Sequence, residues 1–92
     1  MLQAFFSSKT RVALLNLFFR NPERRYYLRE ISRLLSESLT PIRRELLNLK
    51  KIGLLKDAKL ANLIYYQLDK EFILFDELKS MVIKTQEHKV NV

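Results

Sequence analysis

The 92-residue sequence contains no cysteine and no tryptophan, one glycine, one histidine and two prolines. Without cysteine the chain has no disulfide bond, no thiolate metal ligand and no thiol nucleophile. The single histidine, His88, argues against a His-based metal site and against a Ser–His catalytic pair. With one glycine, neither the dinucleotide-binding GxGxxG pattern nor the phosphate-binding GxxxxGK[ST] pattern can be written. The composition therefore predicts a protein with no cofactor and no metal that is not an enzyme.

Long apolar runs are also missing. The longest runs, such as residues 12–15 and 72–75, have four residues, whereas a membrane-spanning helix needs about 18–20. The N-terminus lacks the continuous apolar segment of a signal peptide. The sequence therefore predicts one small cytoplasmic domain over residues 1–92 with no membrane association.

Positive charge is concentrated in the first two thirds of the chain. Residues 1–59 contain 13 Lys/Arg and 5 Asp/Glu, a net charge of +8, whereas residues 60–92 contain 4 and 5, a net charge of −1. A one-sided basic surface is typical of proteins that bind a polyanion. Taken alone, the charge fits a solvated basic surface equally well.

Hydrophobic periodicity and helix-ending signals predict a mainly α chain with one small β-hairpin. Ser7 and Ser8 offer helix N-caps, the proline in Asn21-Pro22 ends the first helix, and Gly53 suits the left-handed residue that follows a helix. Apolar runs on either side of Ala61-Asn62 predict the hairpin. The predicted elements are helices over 9–20, 28–35, 39–52 and 69–85, a short strand at 26–27, a hairpin over 54–68 and a flexible tail over 86–92.

The second and third predicted helices have the lengths of a helix-turn-helix, with residues 36–38 as the turn. Because this turn has no glycine, Ser36 or Glu37 must adopt an unfavourable backbone conformation, at a cost of about 1 kcal/mol. Apolar stripes predict the buried face of each of the first three helices. These stripes are Val12, Leu15, Phe18 and Phe19; Leu28, Ile31, Leu34 and Leu35; and Ile42, Leu46 and Leu49.

The segments "SKTRVALLNLFF", "YYLREISRLL", "LTPIRRELLNLKKIGLL" and "IYYQL" resemble the winged helix-turn-helix transcriptional regulators of the ArsR/MarR-like type. This resemblance covers residues 7–68, the predicted winged-helix core. The following "LDKEFILFDELKSMVIKT" resembles the segment after the wing in helix-turn-helix domains fused to small nucleotidyltransferases. The resemblance implies a sequence-specific regulator that binds double-stranded DNA, with the third helix in the major groove and the hairpin as the wing.

The phase of the third helix tests this expectation. With Ile42 pointing inward, Thr40, Arg44, Leu47 and Lys51 point away from the core, and Arg43 and Asn48 lie on the flanks. Arginine can form two hydrogen bonds to guanine O6 and N7, so two arginines on an exposed face suit base reading. The predicted DNA-binding residues are Ser38, Thr40, Pro41, Arg43, Arg44, Asn48, Lys51, Lys59 and Arg29.

The predicted C-terminal helix carries an apolar stripe that a three-helix domain does not need for its core. Exposed apolar stripes usually mark interfaces, so we expect Phe72, Phe75, Leu78 and Val82 to form a homodimer contact. The apolar leader at Leu2, Phe5 and Phe6 is well placed to join it. The alternative is that this helix folds back onto the first helix of its own chain.

A second class of function remains open at this point. Leu47 lies on the face meant for DNA, and Leu60 and Leu63 lie near the wing tip, which lacks arginine. These leucines could touch a thymine methyl, pack on the last helix or bind a protein. The last alternative fits a protein-interaction module, which would recruit a nucleotidyltransferase or another partner.

Overall fold

The computed structural model of the chain describes residues 8–90. The first helix begins where predicted, because the side chain of Ser8 accepts a hydrogen bond from the backbone N–H of Arg11 at 3.3 Å. The elements are α1 (Lys9–Arg20), β1 (Tyr26–Tyr27), α2 (Leu28–Leu35), α3 (Leu39–Ile52), β2 (Leu55–Leu60), β3 (Leu63–Leu68) and α4 (Phe75–Val90). The mainly α architecture with a hairpin is therefore confirmed.

The turn between α2 and α3 contains the unfavourable backbone conformation that the sequence requires. Ser36 is left-handed, with φ 54° and ψ 43°. Its N–H donates to the Arg33 carbonyl, and the N–H of Glu37 donates to the Ser32 carbonyl at 3.2 Å. The Ser32 hydroxyl also donates to the Glu37 carbonyl. A small residue at position 32 thus closes the turn and fixes the angle between the two helices.

The hairpin is part of a three-stranded antiparallel sheet in the order β1-β3-β2. Ala61 (φ 47°) and Asn62 (φ 69°) are both left-handed, as a two-residue type I′ hairpin turn requires. Tyr26 pairs with Tyr66, so β1 holds the base of the wing against the start of α2. Tyr66 is buried and Tyr65 is half-buried, in agreement with alternation across the strand.

The core differs from the predicted stripes in two helices. In α1, Val12 is only half-buried while Leu14 and Leu17 are buried, because α1 packs against α3, α4 and β3 and so needs a wide apolar face. In α2, Leu34 is 52% exposed, so its place in the stripe was wrong. The α3 stripe of Ile42, Leu46 and Leu49 is fully confirmed.

The C-terminal helix begins at Phe75, later than the predicted start at Asp69, and its backbone continues to Val90. Asp69 does not cap it. Its carboxylate accepts a hydrogen bond from the N–H of Glu71, and its own N–H donates to the Leu54 carbonyl. Asp69 therefore ends the wing, and a turn separates it from the helix.

The apolar stripe of α4 is buried within the single chain. Leu78 is 0% exposed and Val82 1%, and the Phe75 ring lies 5.4 Å from the Phe19 ring of α1. Phe72 packs partly buried against the same core. The prediction that these four side chains would be exposed for dimerisation was wrong, because α4 folds onto α1, which was the alternative. The leader residues Leu2, Phe5 and Phe6 lie outside the described residues.

Within residues 8–90, no helix is both long enough and apolar enough to cross a membrane.

Candidate nucleic-acid interface

The outward face of α3 carries the side chains that the helix phase predicted. The inward side of α3 is buried, since Ile42, Leu46 and Leu49 are at most 1% exposed. The exposed residues of α3 are Thr40, Arg43, Arg44, Leu47, Asn48, Lys50, Lys51 and Ile52. The helix therefore presents a continuous polar and basic face with one leucine in its middle.

A charged contact that sequence reasoning missed holds α3 in place. Arg11 Nε on α1 donates to Glu45 Oε2 on α3 at 2.6 Å, and the two side chains are 19% and 12% exposed. Glu45 lies on the buried side of α3, together with Ile42, Leu46 and Leu49. The only signal in the sequence was an acidic residue on an apolar face, and it does not reveal the partner.

The N-terminal end of α3 is built from three residues of the predicted set. Ser38 is the N-cap residue with an extended backbone (φ −69°, ψ 158°), and its side chain makes no capping hydrogen bond. Pro41 is half-buried in the first turn, where a proline lacks only an N–H that has no partner within the helix. Ser38 and Thr40 are exposed beside it. The free backbone N–H groups and the helix dipole make this end favourable for an anion.

Two basic residues from different helices lie together at a cavity of about 310 Å³ between α2, α3 and β3. Arg29 comes from the first turn of α2 and Arg43 from α3. The remaining lining is mainly apolar and includes Leu47, Leu63 and Ile64. The fold thus joins part of the predicted DNA-binding set into one surface, although the two arginines are 14 positions apart in sequence.

Lys59 lies on the wing rather than on this cavity. It is exposed and pairs with Ile64 across the hairpin. Directly opposed residues of an antiparallel pair project from the same face of the sheet, so Lys59 shares its face with Ile64, which does line the cavity. Lys59 therefore extends the basic surface outward along the wing.

The ion pairs of the described chain involve basic residues outside the predicted set, among them Arg24, Lys50 and Lys70. Ion pairs join Arg24 to Glu30 at 2.9 Å, Lys50 to Asp57 at 2.9 Å, and Lys70 to Glu23. The hydrogen bond and the negative charge of Asp57 raise the pKa of Lys50 above its ordinary value of 10.5. Across residues 8–90 no ion pair involves the basic members of the predicted set, which are Arg29, Arg43, Arg44, Lys51 and Lys59.

A second basic site adjoins the surface and was not in the predicted set. Arg33 Nη2 donates to the Tyr27 hydroxyl at 3.0 Å. Both residues line a second cavity of about 380 Å³ with Arg29, Ser32 and Leu39. The helical spacing of Arg29 and Arg33 is the signal that would have placed them on one face of α2.

The basic pair Arg24 and Arg25 has other contacts. The Arg24 guanidinium lies 4.5 Å from the Tyr26 ring centre, and that of Arg25 lies 5.5 Å from the ring of Tyr65. These arginines lie over the aromatic residues of the sheet.

In the described part of the chain, no group of three or more His, Asp or Glu residues could hold a metal ion.

Comparison with known proteins gives structural matches. No family model and no curated protein sequence matches the chain. The structure is similar to HlyU from Vibrio cholerae, with a TM-score of 0.71 and 22% identity over 94% of this chain and 85% of HlyU. It is also similar to the adhesin competence repressor AdcR from Streptococcus pyogenes, with a TM-score of 0.74 and 17% identity over 91% of this chain and 60% of AdcR.

An ArsR family transcriptional regulator matches with a TM-score of 0.62 and 16% identity, over 99% of this chain and 89% of that protein. At these identities the likeness concerns the fold. The order of helices, the left-handed turn before α3 and the β2–β3 hairpin all agree with it. The chain therefore has the winged helix-turn-helix fold of transcriptional regulators that include ArsR family proteins, as its sequence resemblance predicted.

Proposed function

We propose that this chain is a sequence-specific regulator of transcription that binds double-stranded DNA in the cytoplasm. In this proposal α3 enters the major groove and the β2–β3 hairpin contacts the flanking backbone as a wing. The observation that carries it is the outward face of α3, where Arg43, Arg44 and Lys51 are exposed and take part in no ion pair within residues 8–90. Three other exposed basic side chains, those of Arg24, Lys50 and Lys70, are paired with carboxylates, and Lys50 also lies on α3.

The residues of the surface divide into two roles. Arg43 and Arg44 are suited to reading guanine, and the Asn48 amide is suited to adenine N6 and N7. The remaining polar groups position the protein by binding phosphates, which carry no sequence information. They are Ser38 and Thr40 at the start of α3, Lys51 at its end, Arg29 on α2 and Lys59 on the wing. Pro41 shapes the first turn of α3 and places the hydroxyls beside it.

The proposed regulator acts as a homodimer on a site with two-fold symmetry. Two recognition helices about 34 Å apart would meet successive major grooves on one side of the DNA. Since Phe75, Leu78 and Val82 are buried within the chain, the contact between copies must use other residues. Ile83 is 38% exposed on α4 and is the natural choice for a first test.

Selection of binding sites from a random duplex library tests the proposal directly. We expect recovery of a symmetric motif by the full chain. Affinity should fall steeply with salt, with a slope of about −4 to −5 in log K against log salt if four to six phosphates are contacted. The absence of binding at low salt, or a flat salt dependence, would contradict the proposal.

A second candidate function is supported by the apolar character of the wing. Leu60, Leu63 and Ile64 are 42%, 40% and 49% exposed, and a wing that only follows the DNA backbone needs no such residues. In this second candidate function, the fold serves as a protein-interaction module that recruits a nucleotidyltransferase or another partner through these apolar side chains. Recovery of no DNA motif, together with loss of partner binding on changing Leu60 and Leu63 to serine, would favour it.

A further inference from the structure

The feature that the proposed function leaves unexplained is Leu47. This side chain is 50% exposed in the middle of the α3 face that otherwise carries polar and basic groups. Single exposed leucines are common on protein surfaces, so exposure alone does not indicate a function for Leu47. Its position among the proposed base-reading residues does.

Helix geometry places Leu47 in the same direction as these residues. At 100° per residue, Leu47 points about 40° from Arg43 and about 60° from Arg44, which is between them. It points about 20° from Thr40, two turns further along. The rise from Arg43 to Leu47 is about 6 Å, or close to two base-pair steps of about 3.4 Å each. Any DNA groove that receives both arginines therefore also meets Leu47.

The chemistry of the major groove leaves one partner for a leucine there. The base edges present hydrogen-bond donors and acceptors, and the only apolar group among them is the C5 methyl of thymine. A leucine pressed against the edge of a G·C pair would remove water from polar atoms without replacing their hydrogen bonds, which is unfavourable. Against thymine it would bury the methyl group instead.

The neighbourhood of Leu47 reinforces this match. Leu47, Leu63 and Ile64 line the same cavity between α3 and the wing, with Arg29 and Arg43 at the same cavity. The apolar part can cover the methyl group and keep water from it, while the guanidinium groups remain available for the phosphates and for guanine. No acidic residue lines this cavity.

We infer that Leu47 is a specificity-determining residue that reads the 5-methyl group of thymine. The inference rests on the proposed DNA-binding function and adds one element to it: a preferred thymine about two base-pair steps from the position read by Arg43. The discrimination comes from the methyl group itself, so the same base without its methyl, uracil, should not satisfy the site.

Replacement of thymine by deoxyuridine in the selected duplex, one position at a time, tests this inference. Burial of one methyl group predicts that the wild-type chain binds the duplex about three- to fivefold more weakly when the thymine facing Leu47 is replaced. Leu47→Ala should bind the thymine duplex more weakly and should bind the thymine and deoxyuridine duplexes equally. Leu47→Met, which stays apolar, should retain most of the discrimination.

Leu34→Ala is the matched control, since Leu34 is 52% exposed but lies on α2, and it should keep the wild-type ratio. Circular dichroism should show that every variant is folded. If the wild type binds the thymine and deoxyuridine duplexes equally at every position, or if Leu47→Ala keeps the wild-type ratio, the inference is overturned while DNA binding stands. If the wild type binds no duplex, the proposed function fails and the inference fails with it. Leu47 would then fit a protein contact.

Discussion

Arg11 and Glu45 join α1 to α3 through a contact of 2.6 Å between Nε and Oε2. The residues are 34 positions apart in sequence, and both side chains are largely shielded from water. Since Glu45 is the only charged residue buried in the described chain, its carboxylate depends on this guanidinium for compensation. The pair therefore sets the position of α3 relative to the body of the domain.

Removal of Arg11 should be more damaging than removal of both partners. Arg11→Met leaves the Glu45 carboxylate without its guanidinium partner, and we expect a loss of about 2–4 kcal/mol in the free energy of unfolding. Arg11→Met combined with Glu45→Leu should recover much of this loss, because an apolar pair of similar volume can replace a buried ion pair. Urea denaturation of the single and double variants measures both effects. If the double variant is less stable than Arg11→Met, the unpaired Glu45 carboxylate does not destabilise the fold and this reasoning is wrong.

The left-handed residue of the helix-turn-helix offers a stabilising substitution. Ser36 has φ 54°, which costs a residue with a Cβ about 1 kcal/mol relative to glycine. We expect Ser36→Gly to raise the free energy of unfolding by about 0.5–1 kcal/mol, and Ser36→Val to lower it by at least as much. Ser38→Gly is the control, since Ser38 has φ −69° and gains nothing from glycine. Equal effects at the two positions would show that the turn stores no strain.

The packing of α4 on α1 gives a prediction about stability rather than assembly. Leu78 is completely buried, so Leu78→Ala should lower the free energy of unfolding by about 2–5 kcal/mol. Ile83→Ala should have little effect on folding, because Ile83 is partly exposed. Thermal melts and analytical ultracentrifugation of both variants separate the roles. If Leu78→Ala leaves the melting temperature unchanged and the variant sediments as a smaller species than the wild type, the stripe is a contact between two copies and this prediction is wrong.

The ion pair between Lys50 and Asp57 predicts a change of stability at alkaline pH. Asp57 raises the pKa of Lys50 above 10.5, so the folded chain holds this proton more tightly than the unfolded chain. The contribution is fully present below pH 10.5 and is lost as the pH rises through the higher pKa of the folded state. The difference in melting temperature between wild type and Lys50→Met should stay constant from pH 7 to about pH 9 and shrink above pH 10.5. A difference that grows above pH 10.5 would contradict this assignment.

Local rules were enough to predict much of the fold and which face of α3 is exposed. The spacing of Ile42, Leu46 and Leu49 determines which side of α3 is buried, and the opposite side is the exposed one. Because the turn after α2 has no glycine, Ser36 or Glu37 was expected to adopt an unfavourable backbone conformation, and Ser36 does so with a left-handed φ of 54°. These features depend on neighbours in sequence, so sequence patterns contain them.

Features that depend on distant segments were not predictable in the same way. The stripe at Phe75, Leu78 and Val82 predicts that α4 packs against an apolar surface. The stripe does not identify that surface, which in the structure is α1. The Arg11–Glu45 contact likewise requires the approach of two helices in space. The joint cavity of Arg29 and Arg43 arises only when α2 and the wing meet α3.

The proposed division between base reading and phosphate binding makes Arg43 and Arg44 different from Lys59. Arg43→Ala and Arg44→Ala should each weaken binding to the selected site by about 1–3 kcal/mol and relax the base preference at one position. Lys59→Ala should weaken all sequences to a similar and smaller extent and reduce the salt slope by about 1. The reason is that a lysine ammonium acts as a flexible point charge, whereas the arginine fork matches two acceptors of guanine.

Titrations of each variant against the selected duplex, single-base variants of it and a scrambled duplex, at several salt concentrations, measure the affinity, the base preference and the salt slope. Because all three side chains are exposed, their melting temperatures should match the wild type. Full base discrimination in both arginine variants would mean that α3 does not read bases through these residues.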